Sequence, residues 1–595
     1  MTFIIENFVP LMFVGLIFLL LTGFPVAFAL AATGLLFGTI GMELGLFPSS
    51  LFQALPLRLF GIMQNDTLLA IPFFTMMGII LQKSGMAEDL LESIGQVFGP
   101  LRGGLALAVI VVGALLAATT GVVAASVIAM GLISLPIMLR YGYNRAIAAG
   151  TITASGTLAQ AVPPSLVLIV MADQLGRSVG DMYAGAMIPA IMLVGLYVLF
   201  IIGLAIVKPE WVPALPPEAR IYREPNGSSG QLSLWLLSAV SWAVGLVCYF
   251  NYDALAAQLF GREGSAAFDE RAIFTLSVIG LLALLLAVIN RQLKLGLLSV
   301  LAERVTFALI PPLVLIFLVL GTIFLGIATP TEGGAMGAVG ALIMAVGRRR
   351  LSMTLLKEAL DNSARLSCFV LFILIGSTVF SFTFNAADGH IWVEHLFDKL
   401  PGGQIGFLVF VNLLVFILGM FIDFFEIAFI VVPILAPVAE KLDINLIWFG
   451  VVIAMNLQTS FLTPPFGFAL FYLRSVAARV PYVDNVTRKE IQPLTTPQIY
   501  KGALAFIVLQ VIMVAVLITN PQLVTGSLSE KVEVDLNTIE LDAGQSAWGG
   551  NSDTGGARGN PPAQDAGGWG DAGATADPAA ALSKEMKEAP APGRY

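Results

Sequence analysis

The chain has 595 residues, of which 57% are hydrophobic and only 12% are charged, and its formal net charge is −8. Its mean hydropathy of +0.89 lies far above that of a soluble globular domain, so this class is excluded and an integral membrane protein is predicted. Most of the negative charge lies in residues 526–595, which hold eleven acidic and five basic residues. This Gly-, Ala-, Asp- and Pro-rich tail offers little to bury, so it is predicted to be disordered.

Long apolar runs follow one another along the rest of the chain. Residues 1–21 have no basic flank and no obvious small-residue cleavage site, so they are interpreted as a first membrane helix rather than a removed signal. The later runs are continuous rather than alternating, and each is close to the length that a hydrocarbon core of about 30 Å requires for a helix. These runs are residues 191–207, 232–250, 272–289, 306–325, 366–384 and 503–518.

Two regions of the chain share an unusual proline spacing. Pro136 lies 27 residues before the pair Pro163-Pro164, and Pro437 lies 27 residues before the pair Pro464-Pro465. Proline inside a membrane helix removes a backbone hydrogen bond, and the freed backbone is tolerated only where it is buried or lines a cavity. Broken helices at matching positions in two halves of a chain are typical of transporters.

The distribution of basic residues predicts how these regions are oriented. Arg102 and Arg140 flank the apolar stretch 105–136, which bends at Thr119-Thr120-Gly121. Both of its ends are therefore expected in the cytoplasm, as in a re-entrant hairpin. The matching stretch 406–437 has a polar break and few nearby bases, so it is expected to enter from the opposite side. Opposite entry sides predict an inverted repeat.

Small polar residues cluster at the predicted bends and breaks. Hydroxyl, amide and freed carbonyl oxygens are ligands that a hard monovalent cation prefers. A single Ser or Thr more often only hydrogen-bonds a neighbouring helix, but the clusters taken together favour ion or substrate sites. The candidates are Thr119, Thr120, Gly121, Ser155, Gly156, Thr157, Pro163 and Pro164 in the first half, and Asp423, Asn456, Thr459, Ser460, Thr463, Pro464 and Pro465 in the second. Ser155 and Asn456 occupy matching positions, eight residues before each proline pair.

Three acidic residues near these breaks allow two interpretations. Asp423 and Glu426 lie in an otherwise apolar stretch, where an ionisable group is by default functional. The alternative is that the hairpin tip is in contact with water, in which case the charge of both carboxylates would cost little free energy. Glu332 follows Thr329-Pro330-Thr331 and is interpreted as a helix cap or a packing residue.

Three motifs resemble signatures of the large membrane subunit of TRAP (tripartite ATP-independent periplasmic) transporters. They are Gly326-Ile-Ala-Thr-Pro-Thr-Glu332, Ser155-Gly-Thr-Leu-Ala-Gln-Ala-Val-Pro-Pro-Ser165 and Asn456-Leu-Gln-Thr-Ser-Phe-Leu-Thr-Pro-Pro465. The resemblance covers nearly all of residues 1–520. The first hairpin tip, Thr119-Thr120-Gly121-Val122, departs from the Gly-Ser-Ser run that is usual in the family.

The resemblance implies an all-α, inverted-repeat, elevator-type secondary transporter of the bacterial inner membrane, with two re-entrant hairpins and two broken helices. Such transporters are usually driven by Na⁺ and mostly carry organic acids. They work with a small four-helix membrane subunit and a periplasmic substrate-binding protein. By this resemblance the hairpins and broken helices form the moving transport domain, and the helices around Pro25 and Pro330 belong to the scaffold.

The chain is accordingly expected to have six parts. These are first-half scaffold and arm helices (1–98), a first-half transport region with hairpin and broken helix (99–208), a polar segment with an extra helix pair (209–303), second-half scaffold and arm helices (304–400), a second-half transport region with hairpin and broken helix (401–520), and a disordered acidic tail (521–595).

Several other classes of protein were weighed against a transporter. The sequence contains no nucleotide-binding loop, HExxH motif or Gly-x-Ser-x-Gly elbow, so neither ATP hydrolysis nor another enzymatic activity is predicted. No organic cofactor and no nucleic-acid partner is expected, and Na⁺ is the expected coupling ion. A proton-coupled symporter and a channel remain alternatives. A membrane-embedded enzyme is a weaker one, because Asp423 with Glu426 is the only acidic pair of interest.

Overall fold

The computed structural model describes residues 2–48, 50–219, 222, 230–260, 268–324, 326–398, 401–484 and 486–528. The tail predicted at 521–595 therefore lies outside the described residues from residue 529 onward. In the described part helices dominate, and the strands Tyr482–Val483 and Glu490–Ile491 pair as a short antiparallel ribbon. The prediction of an all-α membrane protein is confirmed.

The first half forms a series of helices broken where the sequence places Gly and Pro. The predicted first membrane helix is interrupted at Asn7 and continues to Leu21. The helices are α1 (Thr2–Glu6), α2 (Phe8–Leu21), α3 (Val26–Glu43), α4 (Leu55–Met63), α5 (Ala70–Lys83), α6 (Met86–Phe98), α7 (Gly104–Thr120), α8 (Val123–Arg140), α9 (Arg145–Thr157), α10 (Leu166–Gln174) and α11 (Val179–Val207), with 3₁₀ turns at Leu51–Ala54, Asp66–Leu69, Leu158–Gln160, Pro209–Trp211 and Pro217–Ala219.

The inserted segment contains a short helix between its two long ones, and the second half repeats the pattern of the first. The helices are α12 (Gln231–Phe250), α13 (Tyr252–Phe260), α14 (Phe268–Leu293), α15 (Val300–Phe324), α16 (Pro330–Gly347), α17 (Met353–Ala386), α18 (Gly389–Asp398), α19 (Gly403–Leu418), α20 (Phe424–Glu426), α21 (Val432–Lys441), α22 (Leu446–Phe461), α23 (Phe468–Val476), α24 (Thr496–Thr519) and α25 (Gln522–Thr525), with a π-helical turn at Ile427–Val431.

Helix lengths differ between the predicted hairpins and the rest of the chain, but not uniformly. Nine helices within the described ranges are long and apolar enough to cross a membrane, and α8 of the first hairpin is one of them. By contrast α7 has 17 residues, and α19 and α22 have 16 each. At a rise of 1.5 Å per residue these reach only about 25 Å, short of a hydrocarbon core of about 30 Å. The helices are interrupted where the sequence predicts the hairpin bends and the breaks.

The two halves exchange helices with each other. The first-half helix α3 packs on the second-half helix α17, and the second-half helix α16 packs on the first-half helix α5. The crossing of α3 and α17 is very close, because a Cβ atom on Gly376 would lie 2.3 Å from the carbonyl oxygen of Ala27. Small residues allow such backbone contact between membrane helices.

The broken helices lie at the centre of the same crosswise arrangement. The last long helix of each half packs on the broken helix of the other half: α24 on α9, and α11 on α22. A Cβ atom on Gly150 would lie 2.3 Å from the Gly502 carbonyl oxygen, so α9 and α24 touch backbone to backbone. Every residue of α22 is buried, as are residues 147–157 of α9. The helices that lead into the two breaks are therefore enclosed by protein.

The hairpins also end differently from the expected bounds. The sequence pattern places their ends at Pro136 and Pro437, but both prolines lie inside helices that continue to Arg140 and Lys441. One further turn is possible because a proline only removes the hydrogen bond to the preceding turn and leaves later residues free to continue the helix.

Candidate functional site

The first hairpin tip is a tight, buried turn between α7 and α8. Gly121 adopts a left-handed conformation with φ of +59°, which glycine enters without strain. A Cβ atom at this position would lie 3.3 Å from the backbone nitrogen of Leu166, where α10 begins. Across the turn, the hydroxyl oxygens of Thr120 and Ser126 lie 2.8 Å apart. The tip therefore rests on the break of its own half and offers two adjacent hydroxyls.

The second hairpin tip is longer and carries two carboxylates. Asp423 caps α20, accepting a 2.7 Å hydrogen bond from the Phe424 N–H. The Glu426 carboxylate accepts a hydrogen bond of 3.2 Å from the Asp423 N–H, which completes a capping box. Both carboxylates thus have a local structural role at the positive end of a helix. Neither interpretation drawn from the sequence included this role, although the Asp-x-x-Glu spacing carries its signal.

The first break lies between α9 and α10 and is buried. Ser165 caps α10, accepting from the Val167 N–H, and its own hydroxyl donates to the Gln160 carbonyl oxygen over 2.8 Å. Ser155 donates to the Ile152 carbonyl oxygen one turn earlier in α9. The Gln160 side chain is fully buried, and neither its amide nitrogen nor its amide oxygen has a hydrogen-bond partner among the described residues.

The second break, between α22 and α23, reaches the surface. Pro465 is exposed, and the Phe466 side chain is 49% exposed. Asn456 lies in α22, the helix before the break. Its amide nitrogen donates a 2.6 Å hydrogen bond to the carbonyl oxygen of Asn412 in α19. Asn456 therefore joins the broken helix to the hairpin of the same half.

The hydroxyl groups around the second break follow a single pattern. Thr459 and Thr463 each donate to the carbonyl oxygen four residues earlier, and Ser460 donates to Asn456 and Leu457. A hydroxyl that donates its proton still has lone pairs on its oxygen. These side chains are therefore hydrogen-bonded as helix neighbours and still able to bind a cation.

In each half the hairpin lies against the broken helix, and one contact occupies a matching position in both halves. In the first half, a Cβ atom on Gly113 of α7 would lie 2.5 Å from the Cβ of Ser155. In the second half, the corresponding contact is the hydrogen bond between Asn412 and Asn456. At the second tip, a Cβ atom on Gly419 would lie 2.5 Å from the Ser460 hydroxyl oxygen.

The two halves approach each other through their helices rather than through their candidate residues. Helix α8, the second helix of the first hairpin, packs on α23 of the second half. Helix α10 packs on α20 and on the π-helical turn that follows α20. No hydrogen bond between described residues links a first-half candidate to a second-half one. The arrangement therefore has two related clusters, one in each half.

A buried cluster of one hydroxyl and two amide side chains connects α11, α22 and α24. The hydroxyl oxygen of Tyr197 lies 3.2 Å from the amide nitrogen of Gln458 and 2.6 Å from that of Gln510. Gln510 was not among the predicted site residues. Its signal in the sequence is an amide within the apolar run 503–518, just as Asn412 is an amide within the apolar part of α19.

Outside the membrane-spanning helices, the end of the first hairpin is tied to the strand ribbon. Arg140 Nε lies 2.8 Å from Asp484 Oδ1, and the Asp484 side chain is only 4% exposed. Desolvation raises the pKa of Asp484, but hydrogen bonds from the Thr487 N–H and hydroxyl and from Arg140 outweigh it and lower the pKa to about 2. The end of the second hairpin forms a more exposed ion pair, between Lys441 and Glu394.

No group of three or more His, Cys, Asp or Glu side chains that could hold a metal ion occurs in the described ranges. A transition-metal site therefore has no support from these residues. The oxygen atoms at the breaks are mostly neutral hydroxyls, amides and carbonyls. Such ligands suit a hard cation of low charge.

Comparison with known proteins gives a consistent result. A family model described as "Tripartite ATP-independent periplasmic transporter, DctM component" matches residues 13–523. The C4-dicarboxylate TRAP transporter large permease protein DctM of Pseudomonas aeruginosa is 27% identical over 432 residues, which cover 72% of this chain and 82% of that protein. The isethionate TRAP transporter permease protein DctMQ of Oleidesulfovibrio alaskensis is 25% identical over 421 residues, covering 70% of this chain and 54% of that protein.

The chain is also similar to a solved transporter structure. The YdaH transporter of Alcanivorax borkumensis aligns with a TM-score of 0.47 and 13% sequence identity, over 80% of this chain and 90% of that chain.

Proposed function

The chain belongs to the DctM component family of tripartite ATP-independent periplasmic transporters, and we propose that it carries out Na⁺-coupled uptake of organic acids. It is a multi-pass protein of the bacterial inner membrane and a transporter permease rather than an enzyme. The observation that carries the proposal is the duplicated site, in which a hairpin tip and a broken helix meet once in each half.

The proposed ion sites lie at these two meeting points. In the first half the oxygen ligands come from the Thr120 and Ser126 pair and from backbone freed near Ser155. In the second half they come from Asn456 and from the hydroxyls at residues 459–463. These groups keep oxygen lone pairs, and a desolvated monovalent cation requires several such ligands at once. Substrate is proposed to bind between the two sites, where the hairpin tips leave polar groups.

The proposed movement is of the elevator type. The segments 99–208 and 401–520 would form the moving domain, and the segments 1–98 and 304–400 the scaffold. The crosswise packing supports this division, because α3 with α17 and α5 with α16 pair within the proposed scaffold. Likewise α9 with α24 and α22 with α11 pair within the proposed moving domain. Each domain thus combines both halves.

The proposed partners are a small four-helix membrane subunit and a periplasmic substrate-binding protein. The name DctMQ of the isethionate permease, of which this chain covers 54%, supports a second membrane component. The substrate class is supported by the names of that relative and of the C4-dicarboxylate permease, since isethionate and C4-dicarboxylates are both organic acids.

Sodium coupling can be tested without knowing the substrate. The purified protein in detergent is unfolded by heat while Na⁺ replaces choline at constant ionic strength. An ion that binds only the folded state stabilises it by RT ln(1 + [L]/Kd), about 2.7 kcal/mol at a hundredfold excess over Kd. We expect a Na⁺-specific rise in the unfolding midpoint of the wild type and a smaller rise in Asn456→Ala.

Asn251→Ala is the matched control. Its amide also donates to a backbone carbonyl oxygen, that of Val247, but it is exposed at the end of α12. This variant should keep the full response to Na⁺. A wild type that does not respond to Na⁺ would contradict sodium coupling and favour a proton-coupled symporter. Solute flux that continues in proteoliposomes without any ion gradient would instead favour a channel.

A further inference from the structure

A cavity lies where the inserted helix pair meets both halves of the protein. Its volume is about 700 Å³. It is lined by the ends of α14 and α16, by the first turns of α15 and by α6. Helix ends that carry this many basic residues are expected on the cytoplasmic side of the membrane. The inserted segment contributes Tyr222 and Arg291 to the lining.

Two of the four arginines in the lining share one carboxylate. Arg348 Nη1 lies 3.0 Å from the Asp89 carboxylate, and Arg350 Nη1 lies 3.1 Å from the same group. Asp89 thus serves both arginines at the end of α16. These three residues form one wall of the cavity and hold one of its three carboxylates.

The other two arginines, Arg291 and Arg304, have no ion pair within the described ranges. Each lies over an aromatic ring: Arg291 is 5.3 Å from the Phe307 centroid, and Arg304 is 5.5 Å from the Tyr222 centroid. Stacking on a ring positions a guanidinium group and leaves its N–H donors directed outward. Both arginines are exposed and contribute to the cavity lining.

The remaining two carboxylates of the lining have other partners. Glu303 accepts a 2.6 Å hydrogen bond from the Asn290 amide, and Glu92 accepts one of 2.9 Å from the Tyr222 hydroxyl. With four arginines against Asp89, Glu92 and Glu303, the lining has a formal charge of +1. The group of Arg348, Arg350 and Asp89 carries one net positive charge. Arg291 and Arg304 have no ion pair among the described residues, so their outward N–H donors can bind an anion with acceptor oxygens.

The cavity also extends along the axis of α15, away from the charged helix ends. Its lining on α15 runs from Val300 to Pro311, and the eleven helical steps between these residues span about 16 Å. Beyond the charged end, the lining of this helix is apolar, with Phe307, Ala308 and Pro311. A charged mouth above an apolar wall has the amphipathic character of a phospholipid, which a small soluble anion does not share.

We propose that this cavity binds an anionic phospholipid of the cytoplasmic leaflet. Arg291 and Arg304 hold its phosphate group, and an acyl chain lies along Phe307 and Pro311. Arginine binds phosphate in bidentate fashion through parallel N–H donors. A bound lipid would fill the space between the inserted pair and the body of the protein.

The test measures phosphatidylglycerol binding to the purified full-length protein in detergent by native mass spectrometry. Each arginine near an anionic headgroup contributes about 1 kcal/mol, or about fivefold in affinity. The double variant Arg291→Gln/Arg304→Gln should therefore bind phosphatidylglycerol about 30-fold more weakly than the wild type. Phosphatidylcholine, which has no net charge, should bind weakly to both proteins.

The control double variant is Lys294→Gln/Arg349→Gln. It removes the same charge from two exposed residues near the cavity that do not line it, and it should bind as the wild type does. Equal weakening in both double variants would overturn the proposal in favour of general surface charge, and unchanged binding in the first would overturn it outright. Displacement of the lipid by millimolar inorganic phosphate or glycerol phosphate would replace it with a soluble-anion site.

Folding is checked separately from binding. The unfolding midpoint of the first double variant in lipid-free detergent should stay close to that of the wild type, because among the described residues each arginine loses only an exposed cation–π contact and no ion pair. If that midpoint falls, the single variants Arg291→Lys and Arg304→Lys are measured instead. Lysine keeps the charge but not the bidentate geometry, so a loss of selectivity for phosphatidylglycerol in these variants supports the proposal and full retention opposes it.

Discussion

The two proline-pair breaks occupy matching positions in the two halves, but their surroundings differ. The first break is buried around Pro163, Pro164 and Ser165, whereas the second has Pro465 and Phe466 at the surface. Irregular backbone at membrane depth is tolerated either inside protein or along a water-filled cavity. The first break is enclosed by protein, and we expect the second break to line a water-filled cavity. A proline pair therefore breaks a helix in two different environments.

The contacts of the breaks differ as well. In the first half, Gly113 meets Ser155 by close packing. In the second half, Asn412 meets Asn456 through a hydrogen bond. The first cluster is held mainly by the fit of small residues and the second mainly by polar pairing. Substitutions at matching positions should therefore have different effects.

The largest expected difference is in access from water. In a Cys248→Ser/Cys368→Ser background, Phe466→Cys should react rapidly with a water-soluble maleimide, because its side chain is half exposed. Ser165→Cys should react only after unfolding, since Ser165 is fully buried. Labelling is followed by mass spectrometry of the purified protein. Equal labelling rates would contradict the difference between the two breaks.

The next largest effect concerns the packing of the two broken helices. Gly150→Ala on α9 places a Cβ 2.3 Å from the Gly502 carbonyl oxygen, a backbone atom that cannot rotate away. Gly450→Ala on α22 instead meets the flexible ends of Leu175 and Met182, at 2.8 and 2.9 Å. Overpacking typically costs about 1–3 kcal/mol. We expect about 3 kcal/mol for the first substitution and about 1 kcal/mol for the second, measured by denaturant unfolding in detergent.

A smaller effect is expected for the polar pairing. Asn456→Ala removes the side-chain donor to the Asn412 carbonyl oxygen, which keeps only its bond within α19. This loss should lower the free energy of unfolding by roughly 1 kcal/mol. Ser155→Ala removes only a hydrogen bond within its own helix and should cost about 0.5 kcal/mol or less. The same unfolding measurement serves both variants. If Ser155→Ala proves the more damaging of the two, polar pairing does not distinguish the halves.

The smallest effect concerns the loops at the ends of the hairpins. Asp484 has a pKa lowered to about 2, so its ion pair with Arg140 stabilises the fold above the unfolded-state pKa of about 3.9. This stability is lost as the pH falls through the folded-state value of about 2. Asp484→Asn should therefore cost roughly 1 kcal/mol at pH 7, and its difference from the wild type should shrink as the pH falls towards 2.

The second hairpin provides the control for this measurement. Lys441→Ala removes an ion pair whose partners are 56% and 27% exposed, and exposed pairs contribute little. Its stability should stay close to that of the wild type at every pH. An Asp484→Asn deficit that is the same at pH 7 and at low pH would show that the lost contact is not an ionic one.

The sequence was sufficient to predict the breaks and the hairpins, because proline, glycine and short apolar runs act locally. The repeated spacing of the proline pairs also predicted two related sites. The finer features depend on distant partners: Asn456 bonds a residue of α19, and Gly150 needs space because Gly502 lies opposite. No local pattern shows which glycine faces a backbone. The capping box at Asp423 and Glu426 does have a local signal, because the two residues have the Asp-x-x-Glu spacing of such a cap.

The difference in exposure between the breaks could not be predicted from sequence at all. Both breaks have a proline pair followed by a small or aromatic residue, and both lie between apolar helices. Exposure depends on how the two halves are placed against each other. That placement is a property of the whole molecule in one of its conformations.

The exchange of helices between the halves has a consequence for biosynthesis. Gly34 on α3 fits against the backbone of Val379 on α17, which is made 345 residues later. A growing chain must therefore keep the small-residue face of α3 in the bilayer, without its native neighbour, until most of the protein has been synthesised. The halves are consequently not successive folding units, and the final assembly of the first half waits for the arrival of the second.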